Sequence, residues 1–319
     1  MKKKILLLAA LLLLKLIIPT YSLAANDLPL IGIVQYAPHE ALDAANQGFV
    51  DALRDNGYED GKTIRIDAQN AQASSDILAS IADSFIAQKA DLVLAIATPA
   101  AQTMAGKTES IPILATAITD FVVARLAKSN EEPGYNVSGT TDMNPVADQI
   151  ALLKKLAPEA KTVGLLYTGS EDNSVLQADL AKAAIKGLGM QWIEVKVTNS
   201  NDVQQAVQSL VGECDALYIP TDNVVASSIP IVAEITLAKK IPVICGEEGM
   251  VFAGGTATLG INYYTLGYQT GLMAIKVLNG EDISTMPIEA QANFNYAINK
   301  ESVEALGLEI PDDLLEFVK

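Results

Sequence analysis

Residues 91–117 read DLVLAIATPAAQTMAGKTESIPILATA, and this stretch decides the fold. Its apolar start, Asp91–Ala97, predicts a buried strand, and a helix is expected from Pro99 to Gly106. A second apolar run, Ile111–Ala117, predicts the next strand. Continuous apolar strands joined by a helix are typical of a parallel sheet that is covered on both faces. The stretch therefore predicts an α/β fold.

The same alternation of strand and helix runs through the rest of the chain in two successive series. Strands of the first series are predicted at Pro29–Gln35, Thr63–Ala68, Asp91–Ala97, Ile111–Ala117 and Asn136–Thr140. Strands of the second series are predicted at Thr162–Tyr167, Met190–Val195, Ala216–Ile219, Pro242–Cys245 and Ala257–Ile261. Helices are expected between them, including Val224–Lys239 and Tyr264–Leu278, and one or two further strands over Ile288–Ile298. The pattern predicts two doubly wound parallel-sheet lobes.

The N-terminal segment has the organisation of a secretory signal peptide. Residues 2–4 are lysines, residues 5–18 are apolar apart from Lys15, and residues 22–25 (SLAA) are suited to a cleavage site. The apolar part is too short and too interrupted for a transmembrane helix, which needs about 20 apolar residues. We predict a signal peptide over residues 1–25 that is cleaved near Ala25 and a soluble periplasmic product; the alternative is an uncleaved membrane anchor.

The chain is strongly acidic, with 38 Asp and Glu residues, 22 Lys and Arg residues and a formal net charge of −16. This charge argues against nucleic acid and anionic membrane surfaces as partners, because both repel a negative protein. The ordinary effect of a high net charge is to keep a protein soluble.

The two cysteines, Cys214 and Cys245, are expected to remain reduced although a secreted protein could form a disulfide. They lie at opposite ends of two neighbouring predicted strands, roughly 15 Å apart at about 3.3 Å per residue. A disulfide requires Cα atoms within about 7 Å of each other. We predict two buried free thiols.

The sequence carries no set of residues typical of an enzyme. His39 is the single histidine, which excludes a histidine-based triad and a multi-histidine metal site. No G-x-S-x-G motif is present. The tripeptide at 106–108 (GKT) lacks the first glycine of a phosphate-binding loop, because Ala101 occupies that position. We therefore predict a binding protein without cofactor or metal.

Ligands of open α/β sheets bind beyond the carboxyl ends of the strands, and this rule selects six loops. These loops are residues 35–39, 98–102, 118–121, 167–173, 220–223 and 246–250. In the second loop Thr98 is predicted to cap a helix that begins at Pro99. The small side chains of Ala100 and Ala101 leave the backbone N–H groups approachable for an anion such as a carboxylate.

Acidic residues end two other predicted strands and suggest the complementary half of the site. Asp222 follows one strand and the Glu247–Glu248 pair follows another, and carboxylates in such loops can receive an ammonium group. Aromatic and soft apolar side chains share the selected region: Tyr36, Phe121, Tyr167, Met250 and Phe252. A helix start that can bind a carboxylate lies opposite acids that can bind an ammonium. This arrangement predicts an amino-acid zwitterion as the ligand.

Four segments resemble the substrate-binding proteins of ABC transporters, in particular those of the tryptophan/tyrosine type. They are LIGIVQYAPHEALD (30–43), VSGTTD (137–142), YIPTDNVVAS (218–227) and GINYYTLGYQTG (260–271). The similarity runs in order through essentially the whole mature chain. Thr119-Asp120 before Val122 also fits, although Phe121 replaces an expected proline.

The resemblance implies the fold of type I periplasmic binding proteins, in which a three-stranded hinge joins two lobes and the ligand lies in the cleft between them. Residues 26–140 plus 262–290 would form lobe one, and residues 141–261 plus 291–319 would form lobe two. The resemblance also implies delivery of an amino acid, often aromatic, to a membrane permease of an ABC transporter.

The resemblance also assigns roles to residues of the selected loops. The ligand carboxylate would be held by Thr98, Ala100, Ala101 and Gln102, with Thr119 nearby. The ammonium would be held by Asp222 and either Glu247 or Glu248. The side-chain pocket would be walled by Tyr36, Phe121, Asp142, Tyr167 and Met250.

The sequence thus predicts a monomeric periplasmic component of an ABC importer that captures phenylalanine, tyrosine or tryptophan by hinge closure. Two alternatives stay open: a sensor that presents its ligand to a receptor, and an importer component for a sugar or nucleoside. An enzyme that uses Asp222 or Glu248 as a base is disfavoured, because the sequence lacks a nucleophile–base pair.

Overall fold

The computed structural model describes residues 28–319, so the predicted signal peptide over residues 1–25 lies outside the described residues. Between residues 28 and 319, none of the helices combines the length and the apolar character that a membrane crossing requires.

Strands and helices alternate along the described chain. The strands are β1 (Leu30–Gln35), β2 (Arg65–Asn70), β3 (Leu92–Ile96), β4 (Ile113–Ile118), β5 (Val137–Thr141), β6 (Thr162–Thr168), β7 (Gln191–Val197), β8 (Ala216–Ile219), β9 (Val243–Cys245), β10 (Ala257–Gly260), β11 (Glu289–Ala290) and β12 (Asn295–Ile298). The helices are α1 (Glu40–Asp55), α2 (Ser75–Ala87), α3 (Thr98–Lys107), α4 (Val146–Leu156), α5 (Asp172–Gly187), α6 (Val203–Leu210), α7 (Asn223–Ala226), α8 (Ile229–Ala238), α9 (Glu248–Phe252), α10 (Tyr263–Leu278) and α11 (Lys300–Leu306). Short 3-10 helices occupy residues 200–202, 283–285 and 312–317.

The strands of residues 28–319 form two sheets of six, which confirms the two-lobed α/β fold. One sheet has the order β11-β5-β4-β3-β1-β2 and the other the order β12-β10-β9-β8-β6-β7. All neighbouring strands are parallel except β12, which runs antiparallel to β10. The central strands β1, β3 and β4 are buried along their whole length, as expected for a sheet covered by helices on both faces.

The described chain passes between the two sheets three times: after β5, after β10 and between β11 and β12. These crossings form the hinge of the fold. The lobe boundaries expected from the sequence, 26–140 plus 262–290 and 141–261 plus 291–319, lie beside the crossings and stay a prediction.

Helix α10 returns from the second sheet to the first and packs backbone to backbone against α1. A Cβ atom on Gly48 would lie 2.1 Å from the carbonyl oxygen of Tyr264, and one on Gly267 would lie 1.9 Å from that of Ala45. Only glycine permits so close an approach. The two helices therefore form one tightly packed unit beside the first sheet.

Two local expectations are corrected by the structure. The helix expected over Val224–Lys239 is broken into α7 and α8, because Pro230 has no N–H to continue the hydrogen bonding of a helix through that position. Strand β2 begins two residues later than Thr63, after a turn in which the hydroxyl of Thr63 contacts the backbone of Gly57. The expectation of reduced cysteines is confirmed: within the described residues Cys214 and Cys245 are buried free thiols.

Candidate functional site

A cavity with about 280 Å³ of empty space lies between the two sheets, beyond the carboxyl ends of their strands. Only about 10 Å³ of this space is clear for the centre of a water-sized sphere, so the two lobes close tightly around it. The lining residues are His39, Leu42, Ala117, Asp142, Asn173, Thr221, Asp222, Asn223, Ala226, Glu247, Met250 and Tyr263. Both lobes contribute, so the cavity exists only while the lobes are closed on each other.

Side chains of the two lobes contact each other directly around the cavity. The imidazole Nε2 of His39 lies 3.3 Å from Oδ1 of Asn223, which follows β8 in the other lobe. The amide of Gln102 on α3 donates to a carboxylate oxygen of Asp172 at 2.8 Å, at the start of α5. Gln102 is therefore engaged with the opposite lobe in the closed cleft.

Thr119, which follows β4, is at the centre of a second group of contacts between the lobes. Its hydroxyl receives a hydrogen bond from the Gln177 amide at 3.0 Å and lies 3.4 Å from the hydroxyl of Thr221. The same hydroxyl donates to Asp142 at 3.0 Å. The other carboxylate oxygen of Asp142 accepts from the Tyr263 hydroxyl at 2.5 Å. Burial raises the pKa of Asp142, whose two oxygens are thus both engaged.

The start of α3 differs from the expected arrangement. Ala97, with φ at 82°, occupies the N-cap position, and Thr98 is the first helical residue and makes no capping bond. The N–H groups of Ala100 and Ala101 both donate to the carbonyl of Ala97 at 3.1 Å, so the helix itself uses them. The expectation that Thr98 caps the helix is wrong because the left-handed backbone at Ala97 supplies the turn instead.

The hydroxyl of Thr98 is consequently available for a ligand. Within residues 28–319 this buried oxygen has no hydrogen-bond partner. It lies beside a narrow crevice that Asn173 of the other lobe also lines. Asn173 thus faces both this space and the main cavity. A buried polar atom without a partner is costly, and a bound ligand would remove that cost.

Asp222 and Glu247 line the cavity but are also helix caps. Asp222 accepts from the N–H of Val225 and from the hydroxyl of Thr168, both at 2.8 Å. Glu247 accepts from the N–H of Met250 at 2.7 Å. Burial raises the pKa of both carboxyls, to about 7 in Glu247. Their charge acts on the cavity while their oxygens are held by the caps.

The two neighbouring glutamates are placed differently. Glu248 lies outside the main cavity and accepts from the Asn262 amide at 3.0 Å. It borders a separate pocket of about 330 Å³ between α1 and α9, together with Glu40 of the other lobe. Burial raises the pKa of Glu248, and the nearby Glu40 adds to the effect. Glu247 is therefore the member of the pair that faces the main cavity.

Glu171, in the loop between β6 and α5, is a buried acid that sequence reasoning missed. Its Oε2 accepts from the Asn223 amide at 2.5 Å and from the Asn173 amide at 3.3 Å. Its Oε1 is buried and has no partner among the residues that the structure describes. Burial raises the pKa of Glu171 to about 8, and the nearby carboxylate of Asp222 contributes.

The hydrogen-bond network fixes the protonation of His39. Because the Asn223 amide donates to Glu171, the oxygen of Asn223 faces His39 and must accept from its Nε2. Burial lowers the pKa of His39 to about 4, so the ring is neutral. Its Nδ1 then carries a lone pair, and this buried nitrogen has no partner within the described part of the chain.

Of three aromatic residues expected in the site, Tyr36 lies near the acids of the cleft, whereas Phe121 and Tyr167 lie elsewhere. The Tyr36 hydroxyl lies 3.4 Å from the carbonyl of Ala73, and burial, with Glu171 and Asp222 nearby, raises its pKa to about 12. Phe121 is buried in the hydrophobic core of the first lobe. Neither it nor Tyr167 lines the main cavity.

Tyr167 is turned away because adjacent residues of a strand point to opposite faces. Thr168 contacts Asp222 at the cavity, whereas the Tyr167 hydroxyl donates to Glu194 on β7 at 2.8 Å. The ring of Tyr167 lies near the ammonium groups of Lys182 and Lys196. It is part of the core and edge of the second lobe.

Most residues that were missed lie on loops that the strand-end rule selected. They are His39, Glu171, Asn173, Thr221 and Asn223. Their polar side chains at strand ends were the feature of the sequence that could have identified them. The acids and aromatic residues on the same loops were chosen instead. Tyr263 lies at the start of α10, one residue before the expected beginning of that helix.

The charge of the site is one-sided. Asp142, Asp222 and Glu247 line the cavity and Glu171 adjoins it, whereas among residues 28–319 no lysine or arginine is part of the lining. Buried carboxylates of this kind repel anions and favour a ligand that carries positive charge.

The chain matches the family model described as ABC transporter substrate binding protein over residues 30–318. A tyrosine-binding protein of Clostridioides difficile (strain R20291) is 43% identical over 290 residues, which are 91% of this chain and 84% of the relative. A solved structure from Streptococcus pneumonia, an ABC domain in complex with L-Trp, superposes with a TM-score of 0.88 at 34% identity and covers 92% of this chain and 100% of that one.

A second solved structure, of an open form, allows the arrangement of the two lobes to be compared with that of the ligand-bound protein. It is the ligand-free, open form of a substrate-binding protein with adhesive properties from Clostridium difficile, 48% identical, covering 92% of this chain and 98% of that one. Its TM-score is only 0.69, below that of the less similar L-Trp complex. The lobes of the present chain are therefore arranged more like those of the ligand-bound protein.

Proposed function

Because the chain belongs to the family of ABC transporter substrate-binding proteins, we propose that it captures a free aromatic amino acid and delivers it to a membrane permease for import. It is a binding protein and not an enzyme. Proteins of this family act outside the cytoplasm, and we propose export by a signal peptide cleaved near Ala25. The net charge of −16 supports a soluble monomer without nucleic acid as partner.

The observation that carries the proposal is a closed, acidic cleft in which each lobe presents buried polar atoms that lack partners among residues 28–319. In the first lobe the Thr98 hydroxyl is a hydrogen-bond donor suited to a ligand carboxylate. In the second lobe the oxygens of Glu171 and Asn173, which lack partners among the described residues, are acceptors suited to an ammonium. An amino acid carries both groups on one carbon and can satisfy both sides at once.

An aromatic side chain is supported by the apolar part of the lining and by the relatives. Leu42 and Met250 offer hydrocarbon and thioether surface on opposite lobes, and both are buried. The named ligands of the two relatives, tyrosine and L-Trp, are aromatic amino acids. We keep in the proposed site Tyr36, Thr98, Gln102, Thr119, Asp142, Asp222, Glu247 and Met250.

Closure supplies the energetic logic of capture. A ligand that contacts both lobes stabilises the closed arrangement by the difference between its affinities for the closed and open forms. The closed cleft excludes water, so charged hydrogen bonds inside it are stronger than in solution. The bonds from His39 to Asn223 and from Gln102 to Asp172 accompany closure and set its geometry.

A thermal-shift panel of the twenty L-amino acids, with sugars and nucleosides as controls, tests the proposal. A ligand that binds only the folded protein raises its melting temperature by mass action, and we expect the largest rise with tyrosine, tryptophan or phenylalanine. A rise with a sugar or nucleoside alone would contradict the amino-acid assignment.

Thr98→Val tests the carboxylate side of the site. Loss of one hydrogen bond to a charged group corresponds to about 1.5–3 kcal/mol, so calorimetry should show affinity weakened by roughly ten- to 150-fold. Thr103→Val, on the same helix but beyond its first turn, should bind like the wild type.

A further inference from the structure

We propose that Glu171 binds the ammonium group of the ligand, with Asn173 and His39 as flanking acceptors. The assignment deepens the proposed function and rests on it. It places the recognition of the amino group on a residue of the β6–α5 loop, and not on the acids that end β8 and β9.

The acids that end β8 and β9 are less suited to this task because they are already engaged. Asp222 holds the start of α7 and the hydroxyl of Thr168. Glu247 holds the first N–H groups of α9. An ammonium bound to either would compete with backbone donors that have no other partner inside the described fold. Glu171 makes no such bond with the first turn of α5, which it precedes.

One oxygen of Glu171 is positioned by the protein and the other is left for a ligand. Oε2 receives the amides of Asn223 and Asn173, which hold the carboxylate in place. Within residues 28–319, Oε1 is buried and without a partner. Glu171 is 2% exposed, so bulk solvent has almost no access to this oxygen.

Two further buried acceptors belong to the same connected group. Asn173 donates through its amide nitrogen to the Thr221 carbonyl at 2.8 Å, and its oxygen has no partner in the described chain. His39 is joined to Glu171 through Asn223 and presents the lone pair of Nδ1. Three acceptors match the three N–H donors of an ammonium, while a hydroxyl would supply only one donor.

The charge balance points the same way. Closing the empty cleft buries Glu171 beside Asp222, and in the described residues no basic side chain lines the cavity to compensate. Burial and Asp222 raise the pKa of Glu171 to about 8, so the empty closed form holds a proton there at neutral pH. The other titratable groups that face it, Tyr36 and His39, are neutral. A ligand ammonium would replace that proton and leave the carboxylate ionised.

The test compares an amino acid with its analogue that lacks the amino group. Titration calorimetry would use L-tyrosine with 3-(4-hydroxyphenyl)propanoate and L-tryptophan with indole-3-propanoate. The wild type should prefer the amino acid by at least about 100-fold, as expected for a desolvated charge pair. Glu171→Gln should reduce the preference to below about tenfold, because the side-chain amide has no negative charge and its NH₂ group is a donor like the ammonium itself.

Matched variants separate this effect from general damage. Glu213→Gln makes the same charge change at an exposed position of the second lobe and should bind like the wild type. Glu171→Asp keeps the charge and should retain most of the preference. Glu171→Gln should melt at or above the temperature of the ligand-free wild type, because it removes the cost of burying or protonating that carboxyl.

The possible outcomes distinguish the role of Glu171 from the proposed function. Full preference retained in Glu171→Gln, or preference lost equally in Glu171→Asp, would overturn the role of Glu171 while leaving amino-acid capture intact. Equal wild-type affinity for an amino acid and its deaminated analogue would also overturn it. Binding of no amino acid by the wild type in the thermal-shift panel would overturn the proposed function itself.

Discussion

Gly249→Ala is predicted to weaken ligand binding by obstructing closure of the lobes. Gly249 lies in α9 of the second lobe and faces the first turn of α1 in the first lobe. A Cβ atom on it would lie 3.1 Å from the backbone nitrogen of Ala41 and 3.2 Å from Cβ of Glu40. It would also lie 2.9 Å from the Glu247 carboxylate in its own lobe, a contact that does not depend on closure. The methyl group therefore requires the lobes to part by a few tenths of an ångström.

The size of the effect follows from the cost of overpacking, typically about 1–3 kcal/mol. The contacts with α1 exist only when the lobes are closed, so most of this cost falls on the ligand-bound form. Since 1.4 kcal/mol corresponds to a tenfold change, affinity should fall by about five- to 150-fold. The ligand-free, open protein should lose less stability than this, because only the contact with Glu247 remains in it.

Titration calorimetry with L-tyrosine and L-tryptophan measures the loss, and thermal unfolding without ligand measures the stability. Gly187→Ala is the matched control, because a Cβ on this glycine in α5 of the same lobe would meet no atom of the described chain within 4 Å. Unchanged affinity in Gly249→Ala would mean that α9 and α1 do not meet in the bound form. A drop in ligand-free stability equal to the loss of binding energy would refute selective obstruction of closure.

Acid should favour closure of the ligand-free protein between pH 8 and 6.5, because the closed cleft raises the pKa of Glu171 to about 8 and of Glu247 to about 7 and so binds protons that an open cleft releases. Below pH 6.5 His39 opposes closure, because the closed cleft lowers its pKa to about 4. X-ray scattering measures closure as a fall in the radius of gyration. A radius that stays constant from pH 8 to 6.5 would contradict the prediction. Asp222→Ala should lower the free energy of unfolding by about 2–4 kcal/mol, since it removes a helix cap and leaves donors of Thr168 buried without a partner. Urea unfolding measures this loss, and wild-type stability would argue against the structural role.

Long periodic segments of the fold could be predicted closely from the sequence. The strand Ala216–Ile219 coincides with its prediction, and the helix expected over Tyr264–Leu278 begins only one residue earlier. The short helices α9 and α11, of five and seven residues, escaped prediction because a helical period is not visible over so few positions.

The site could be predicted at the level of loops but not of atoms. Topology alone brings strand ends together, so the loops were identified. Which carboxylates are used as caps depends on the backbone around them, and Asp222 and Glu247 look unengaged in the sequence. The left-handed backbone of Ala97 is rare for a residue with a side chain, and no local signal distinguishes it. The face to which Tyr167 points is likewise set by strand register.

The close glycine contact between α1 and α10 affects how the first lobe contacts the ligand. His39 occupies the N-cap position of α1 and Tyr263 is the first residue of α10, so both cavity residues belong to one tightly packed unit. Any rotation of the first lobe carries them together at a fixed separation. The first lobe therefore presents these two side chains to the ligand in a preformed arrangement.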